Sequence, residues 1–143
     1  MKRCHVSLEE AESILSEVRA DIIRLRKINQ GRSMLNSIEI EYDNNHETLM
    51  HNLELNKNFH RLTYEFYEIM ERLYKKGCYI RSIDQGLVDF LSFYKGRDIF
   101  LCWNISENQI KGWHELETNC HSVKPLSMIR TKTKGEQGEK DED

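Results

Sequence analysis

Most of the residues able to do chemistry fall between positions 89 and 121. Cys102, Trp103, Trp113, His114 and Glu115 crowd one stretch, Asp89 lies in an apolar run just upstream, and Cys120-His121 follow. Thiolate, imidazole and carboxylate are the donors zinc prefers. The same residues admit a second chemistry, in which Asp89 orients His114 as a general base in a pocket between sheet and helices. Cys102 as a nucleophile would need a lowered thiol pKa, and no neighbour in sequence supplies one. Each functional reading has a structural counterpart. A histidine on a strand is commonly a hydrogen-bonded core residue, and the two tryptophans serve equally well as cross-strand packing.

Register decides whether these side chains can meet. If a four-residue turn at 106–109 joins strands whose first pair is Ile105 with Ile110, Leu101 faces His114 and Cys102 faces Trp113. Ile99, Leu101, Trp103, Ile105, Ile110, His114 and Leu116 then share the apolar side, and Trp103 covers Gly112. Cys102 and His114 point to opposite faces and cannot bind one metal. A slip of one residue reverses that outcome, because strand side chains alternate. The apolar pattern favours the first register, so no metal site is expected.

The residues that must position this cluster divide into two kinds. Ser7 with Glu10 forms an S-x-x-E capping box. From it Leu8, Ala11, Leu15, Val18, Ile22 and Leu25 recur at spacings of three and four, which predicts a helix over 8–30 with Gly31 as its stop. Met34, Leu35, Ile38 and Ile40 suggest a last helical stretch before the turn chemistry of Tyr42-Asp43-Asn44-Asn45. A second helix over 46–76 carries Leu55, Phe59, Leu62, Phe66, Ile69 and Leu73 on one seam and closes at Lys75-Lys76-Gly77. Two such helices, each ~35–45 Å long, should pack as an antiparallel hairpin. Beyond Gly77 the period changes. Runs at 79–83, 87–91, 98–105 and 110–116, separated by short turns, predict an antiparallel β-meander over 79–116. Pro125 should end regular structure. Residues 131–143 hold five acids, three bases and no apolar partner, so a disordered tail is expected after a single domain of 1–130. The fold class is therefore α+β.

Composition narrows the function classes. The chain has 143 residues, 31% of them charged, and a net charge of −3. That balance argues against a dedicated nucleic-acid binder. The base-only run Arg24, Arg26, Lys27 and Arg32 could touch phosphate, but cations are also favoured near a helix C-terminus. No apolar run is long enough to span a bilayer. Cys4, Cys78, Cys102 and Cys120 are scattered without a C-x-x-C pair, as in a reducing compartment, and a cytoplasmic location is expected. His46, His51 and His60 lack the i, i+4 spacing of a helical metal pair. Phosphate loops, H-E-x-x-H and G-x-S-x-G are absent.

Several phrases carry a family resemblance: Leu8-Glu9-Glu10-Ala11 at the first helix start, GLVDF at 86–90, Gly96, LCW at 101–103, WHEL at 113–116 and Lys124-Pro125-Leu126. With them the chain resembles the prokaryotic family called domain of unknown function 2203, across roughly 6–126. The resemblance implies a long second helix and a compact β-rich end. It draws attention to Asp89, Cys102, Trp103, Trp113 and His114 and implies no reaction, and it leaves the cofactor unknown. Leu91 stands where the family has proline, and Asn119-Cys120 replace its Gly-Phe, so Cys120 and His121 are not shared features.

The expectation from sequence is a non-enzymatic interaction or scaffold protein that forms a homodimer through coiled-coil-like helices, with no catalytic residue assigned. The alternative is a small enzyme or a ligand- or metal-binding protein using Asp89 and His114.

Overall fold

A computed structural model describes residues 5–36, 46–117 and 123–126. The expected loop at 37–45, the Cys120-His121 pair, Cys4 and the acidic tail lie outside the described residues. The order is three helices, α1 (Leu8–Ser13), α2 (Leu15–Asn36) and α3 (His46–Lys75), then five strands, β1 (Cys78–Ser82), β2 (Leu87–Tyr94), β3 (Arg97–Asn104), β4 (Gly112–Glu115) and β5 (Lys124–Pro125). The class is α+β, as the periodicity implies.

The first helix starts where its capping box places it. The Ser7 hydroxyl accepts the Glu10 amide at 3.1 Å, and the Glu10 carboxylate accepts the Ser7 amide at 2.9 Å. One interruption follows. The Ser13 hydroxyl donates to the Glu10 carbonyl at 2.6 Å, and Ile14 leaves helical geometry at φ −110°, ψ 7°. A serine that takes a helical carbonyl competes with the backbone ladder, which accounts for a break at this point. Downstream, α2 runs through Gly31 to Asn36 rather than stopping at the glycine. Gly31 serves closeness instead: a Cβ there would stand 3.1 Å from Leu62 Cδ1 on α3.

The seam predicted for the first helix is the core. Ala11, Val18, Ile22, Leu25 and Ile28 are fully buried and meet Ile69 and Leu73. Burying each such aliphatic side chain contributes ~1.5–3 kcal/mol. Ion pairs fix the antiparallel register of the hairpin. Lys76 reaches Glu17, Arg72 reaches Asp21 and Arg24 reaches Glu65, so partners advance on α2 as they retreat on α3. Leu62 and Phe66 are only partly buried, because the sheet packs against the other end of α3.

The sheet is a simple antiparallel meander, β1-β2-β3-β4-β5. Lys95 (φ 51°) and Gly96 (φ 79°) form the two-residue link between β2 and β3, the left-handed pair a tight hairpin requires. Its inner face places Val88, Phe90, Ile99, Leu101, Trp103 and Trp113 against the helices. Both edges are irregular. The β1–β2 register shifts between Ile80 and Ser82, and at the opposite edge Pro125, expected to end regular structure, pairs with Gly112 in the two-residue β5.

Candidate metal centre on the outer sheet face

The β3–β4 pairing differs from the one expected by one residue. Phe100 lies opposite His114, Leu101 opposite Trp113 and Cys102 opposite Gly112. The connection is correspondingly longer, 105–111, and its polar groups are satisfied from a distance. Arg19 on α2 donates to the carbonyls of Ile105 and Glu107, both at 2.8 Å, and Trp103 Nε1 donates to the Glu107 carbonyl at 3.1 Å. Ile105 and Ile110 do not pair with each other across β3 and β4, and both side chains bury in the core. Long-range side chains, which no local turn pattern reveals, therefore set the register.

The slip moves His114 to the outer face of the sheet, away from the helices. Asp89 faces Cys102 across β2 and β3, so alternation places Asp89, Phe100, Cys102 and His114 on that same side. The expected pocket between sheet and helices does not hold the Asp89–His114 pair, because the layer between them is closed by apolar side chains. Trp103, expected over Gly112, is fully buried on the inner face with the Arg19 guanidinium 5.4 Å from its ring. Trp113 packs there too, against Tyr94 and beneath Lys124. Both tryptophans are core residues.

On the outer face, one donor atom each from Asp89, Cys102 and His114 lie within 4.8 Å of one another. Asp89 is 0% exposed and His114 1%, whereas Cys102 is half-buried. Tetrahedral zinc with ordinary bond lengths sets donors about 3.5 Å apart, so closing this triangle asks for roughly 1 Å of side-chain adjustment. The register expected from the sequence separates Cys102 from His114, and the one-residue slip brings them to one face.

Hydrogen bonding orients the imidazole. His114 Nδ1 lies 2.8 Å from the Glu115 carbonyl oxygen, which can only accept, so Nδ1 carries the proton. Nε2 then faces Asp89 Oδ2 at 3.1 Å. A backbone carbonyl holding one ring nitrogen while the other turns to a carboxylate and a thiol is the outer support typical of a metal-ligating histidine.

One further residue belongs to the site and carried no signal in the sequence. Arg81 Nε donates to Asp89 Oδ2 at 2.6 Å, and its guanidinium stands 4.7 Å from the Phe100 ring centre. Tyr79 and His114 flank the same ring at 5.2 and 5.6 Å. Asp89 Oδ2 thus accepts from Arg81 and faces the His114 Nε2 lone pair, two acceptors that a cation could bridge, while Oδ1 is buried with no hydrogen-bond partner among the described residues. A buried acceptor left unmade costs about 1–3 kcal/mol. Glu115, next along β4, is held below the usual carboxylate range by its hydrogen bond from Lys124 and by the charge of Arg97.

The other grooves offer less. One of about 870 Å³ runs beside Arg26, Asn29, Gln30, Ser33, Met34 and Asp84, where the Arg26 guanidinium already donates to the carbonyls of Ile83 and Asp84. In the basic run, Arg24 is bound to Glu65 and Arg32 stacks on Phe59 and Phe66, so these cations serve the fold. No described helix is long and apolar enough to cross a membrane.

No curated protein and no solved structure matches the chain. The model of one protein family does match, over residues 6–126, which takes in all the elements described above. The chain belongs to the family described as uncharacterized conserved protein DUF2203.

Proposed function

We propose that this chain is a metal-binding protein whose centre is formed by Asp89, Cys102 and His114 from three adjacent strands. The observation that carries the reading is the fixed imidazole: with Nδ1 committed to the Glu115 carbonyl, the Nε2 position is turned toward a carboxylate and a thiol. The orphaned Asp89 Oδ1 supports it, since a cation would give that oxygen a partner. Mixed oxygen, nitrogen and sulfur donors suit zinc or another borderline-soft divalent ion. Three protein ligands leave a fourth position for water or substrate, the arrangement of reactive rather than purely structural zinc. An ion there would lower the pKa of a bound water and polarise a coordinated carbonyl or phosphoryl oxygen.

The test is stoichiometric zinc uptake by the metal-stripped protein, followed by elemental analysis after gel filtration. One zinc per chain is expected for wild type, and far weaker uptake for Cys102→Ser and His114→Ala variants that retain wild-type far-UV circular dichroism. Wild type that emerges without zinc would overturn the reading.

A second reading, self-association through the helices, is favoured by the solvent face of α3. Leu53, Tyr64 and Tyr67 lie there 49%, 68% and 62% exposed. Recurring close to a helical repeat, they form an outward stripe opposite the inward seam. Native mass spectrometry distinguishes the two: a bare dimer supports this reading alone, a zinc-bearing monomer the first alone, and a zinc-bearing dimer both.

A further inference from the structure

Arg81 does more at this site than neutralise Asp89. Only its Nε is bound, to Asp89 Oδ2 at 2.6 Å. The terminal guanidinium nitrogens make no hydrogen bond to any described residue, and the side chain is 42% exposed while its carboxylate partner is 0% exposed. The Phe100 ring, 4.7 Å away, holds the plane of the guanidinium in place. The result is a fixed cation with unused N–H donors, anchored to the same carboxylate that belongs to the proposed metal centre. Surface arginines usually sweep freely through solvent, and pinning one by its Nε leaves the outer edge of the fork presented in one direction.

We propose that Arg81 and the metal together receive an oxyanion carrying two oxygens on one atom, the carboxylate or phosphate group of a small substrate. This rests on the metal reading above. One oxygen would take the position the three protein ligands leave open, and the other would accept from a terminal Arg81 N–H. Two cationic partners so close to a single buried carboxylate leave a local excess of positive charge that an anion offsets. Phe100 and Tyr79 form an aromatic wall beside Arg81, and of the three proposed ligands Cys102 is the one only half-buried. Arg81 is thereby a substrate-positioning residue, and the ligand class is anionic.

Cobalt(II) substituted for zinc makes both claims visible, because thiolate ligation by Cys102 gives a charge-transfer band and the visible bands respond to a new ligand. The cobalt-loaded full chain is titrated separately with sodium phosphate and sodium acetate. Saturable change in the visible bands is expected with at least one anion, and the tighter of the two identifies the source of the oxygens. Arg81→Met should keep the charge-transfer band yet bind the anion at least about tenfold more weakly, the scale of a charge-assisted pair. Arg81→Lys, which keeps the charge beside Asp89 and loses the fork, should fall between and covers the case in which the methionine variant does not fold. Equal anion affinity in the folded variants, or no anion response in wild type, would overturn the proposal while leaving the metal centre intact. Absence of the charge-transfer band in wild type would sink the metal reading, and this one with it.

Discussion

Cys102 and Gly112 face each other across β3 and β4, and that pairing brings His114 to the side of the sheet shared by Asp89 and Cys102. Gly112 also makes room: a Cβ there would meet Val123 Cγ1 at 2.0 Å and the Lys124 carbonyl at 3.2 Å. Gly112→Ala should therefore displace β5 from β4 and lower the midpoint of thermal unfolding by several degrees, read by circular dichroism. An unchanged midpoint would show that β5 is not held against β4.

Zinc affinity should depend on pH through the ligands' protons. Binding must displace the Cys102 proton, so below the ordinary thiol pKa of ~8.5 the apparent affinity is expected to fall about tenfold for each unit of pH. Competition with a chromophoric chelator between pH 8 and pH 6 measures the slope. A flat profile would exclude a thiolate ligand.

Removing Arg81 tests the charge balance of the buried carboxylate. Without metal, Arg81→Met leaves Asp89 with only His114. Losing one member of a fully buried pair costs about 3–5 kcal/mol, and the exposure of Arg81 reduces the expected loss to ~2 kcal/mol. Zinc should restore most of it, since the ion replaces the missing cation. Urea denaturation of the variant with and without zinc provides the comparison, and equal destabilisation under both conditions would speak against an ion at Asp89.

The hairpin clamp between Arg24 and Glu65 makes an acid-side prediction. The hydrogen bond from Arg24 lowers the Glu65 pKa below its ordinary value. A carboxylate that titrates lower when folded stabilises fully above its unfolded pKa, and that contribution is lost as pH falls through the folded value. Glu65→Gln should therefore narrow the stability difference between pH 7 and pH 3 in urea titrations. Both side chains are well exposed, so the effect should be small and should shrink further in salt.

Gly86 sits in the β1–β2 turn at φ +73°, and a Cβ there would lie 2.6 Å from Ile105 Cγ1 and 2.9 Å from Arg26 Nη2. Gly86→Ala combines left-handed strain with overpacking, and a loss of about 2–3 kcal/mol is expected in chemical denaturation. Wild-type stability would show that the turn relaxes freely.

Local signals carried the helices and the strands, and they failed where the determinants are remote. Val18, Ile22 and Leu25 announce their burial through spacing alone, and Ser7 with Glu10 marks a helix start that forms as written. Gly31 misleads because its tight approach to Leu62 cannot be told from a stop signal without knowing the neighbour. The register of β3 against β4 depends on Arg19, more than eighty residues before the loop it holds, so a four-residue turn was the natural and incorrect reading. Asp89 and His114 were legible as unusual polar residues in apolar phrases. Arg81 was not, since an arginine on a strand has no feature that distinguishes it until Asp89 is found beneath it.

The two edges of the sheet bear on how copies of this protein can meet. A flat outer strand offers unpaired amides and carbonyls to another chain and invites growth into fibrils. Here the β1 edge carries a register shift at Ile80–Ser82, and the β4 edge is covered by a two-residue strand containing Pro125, which has no amide to donate. Neither side is a template for further strands. Continuous β-pairing between copies is thereby disfavoured, and the same blunting protects an otherwise simple meander from aggregation.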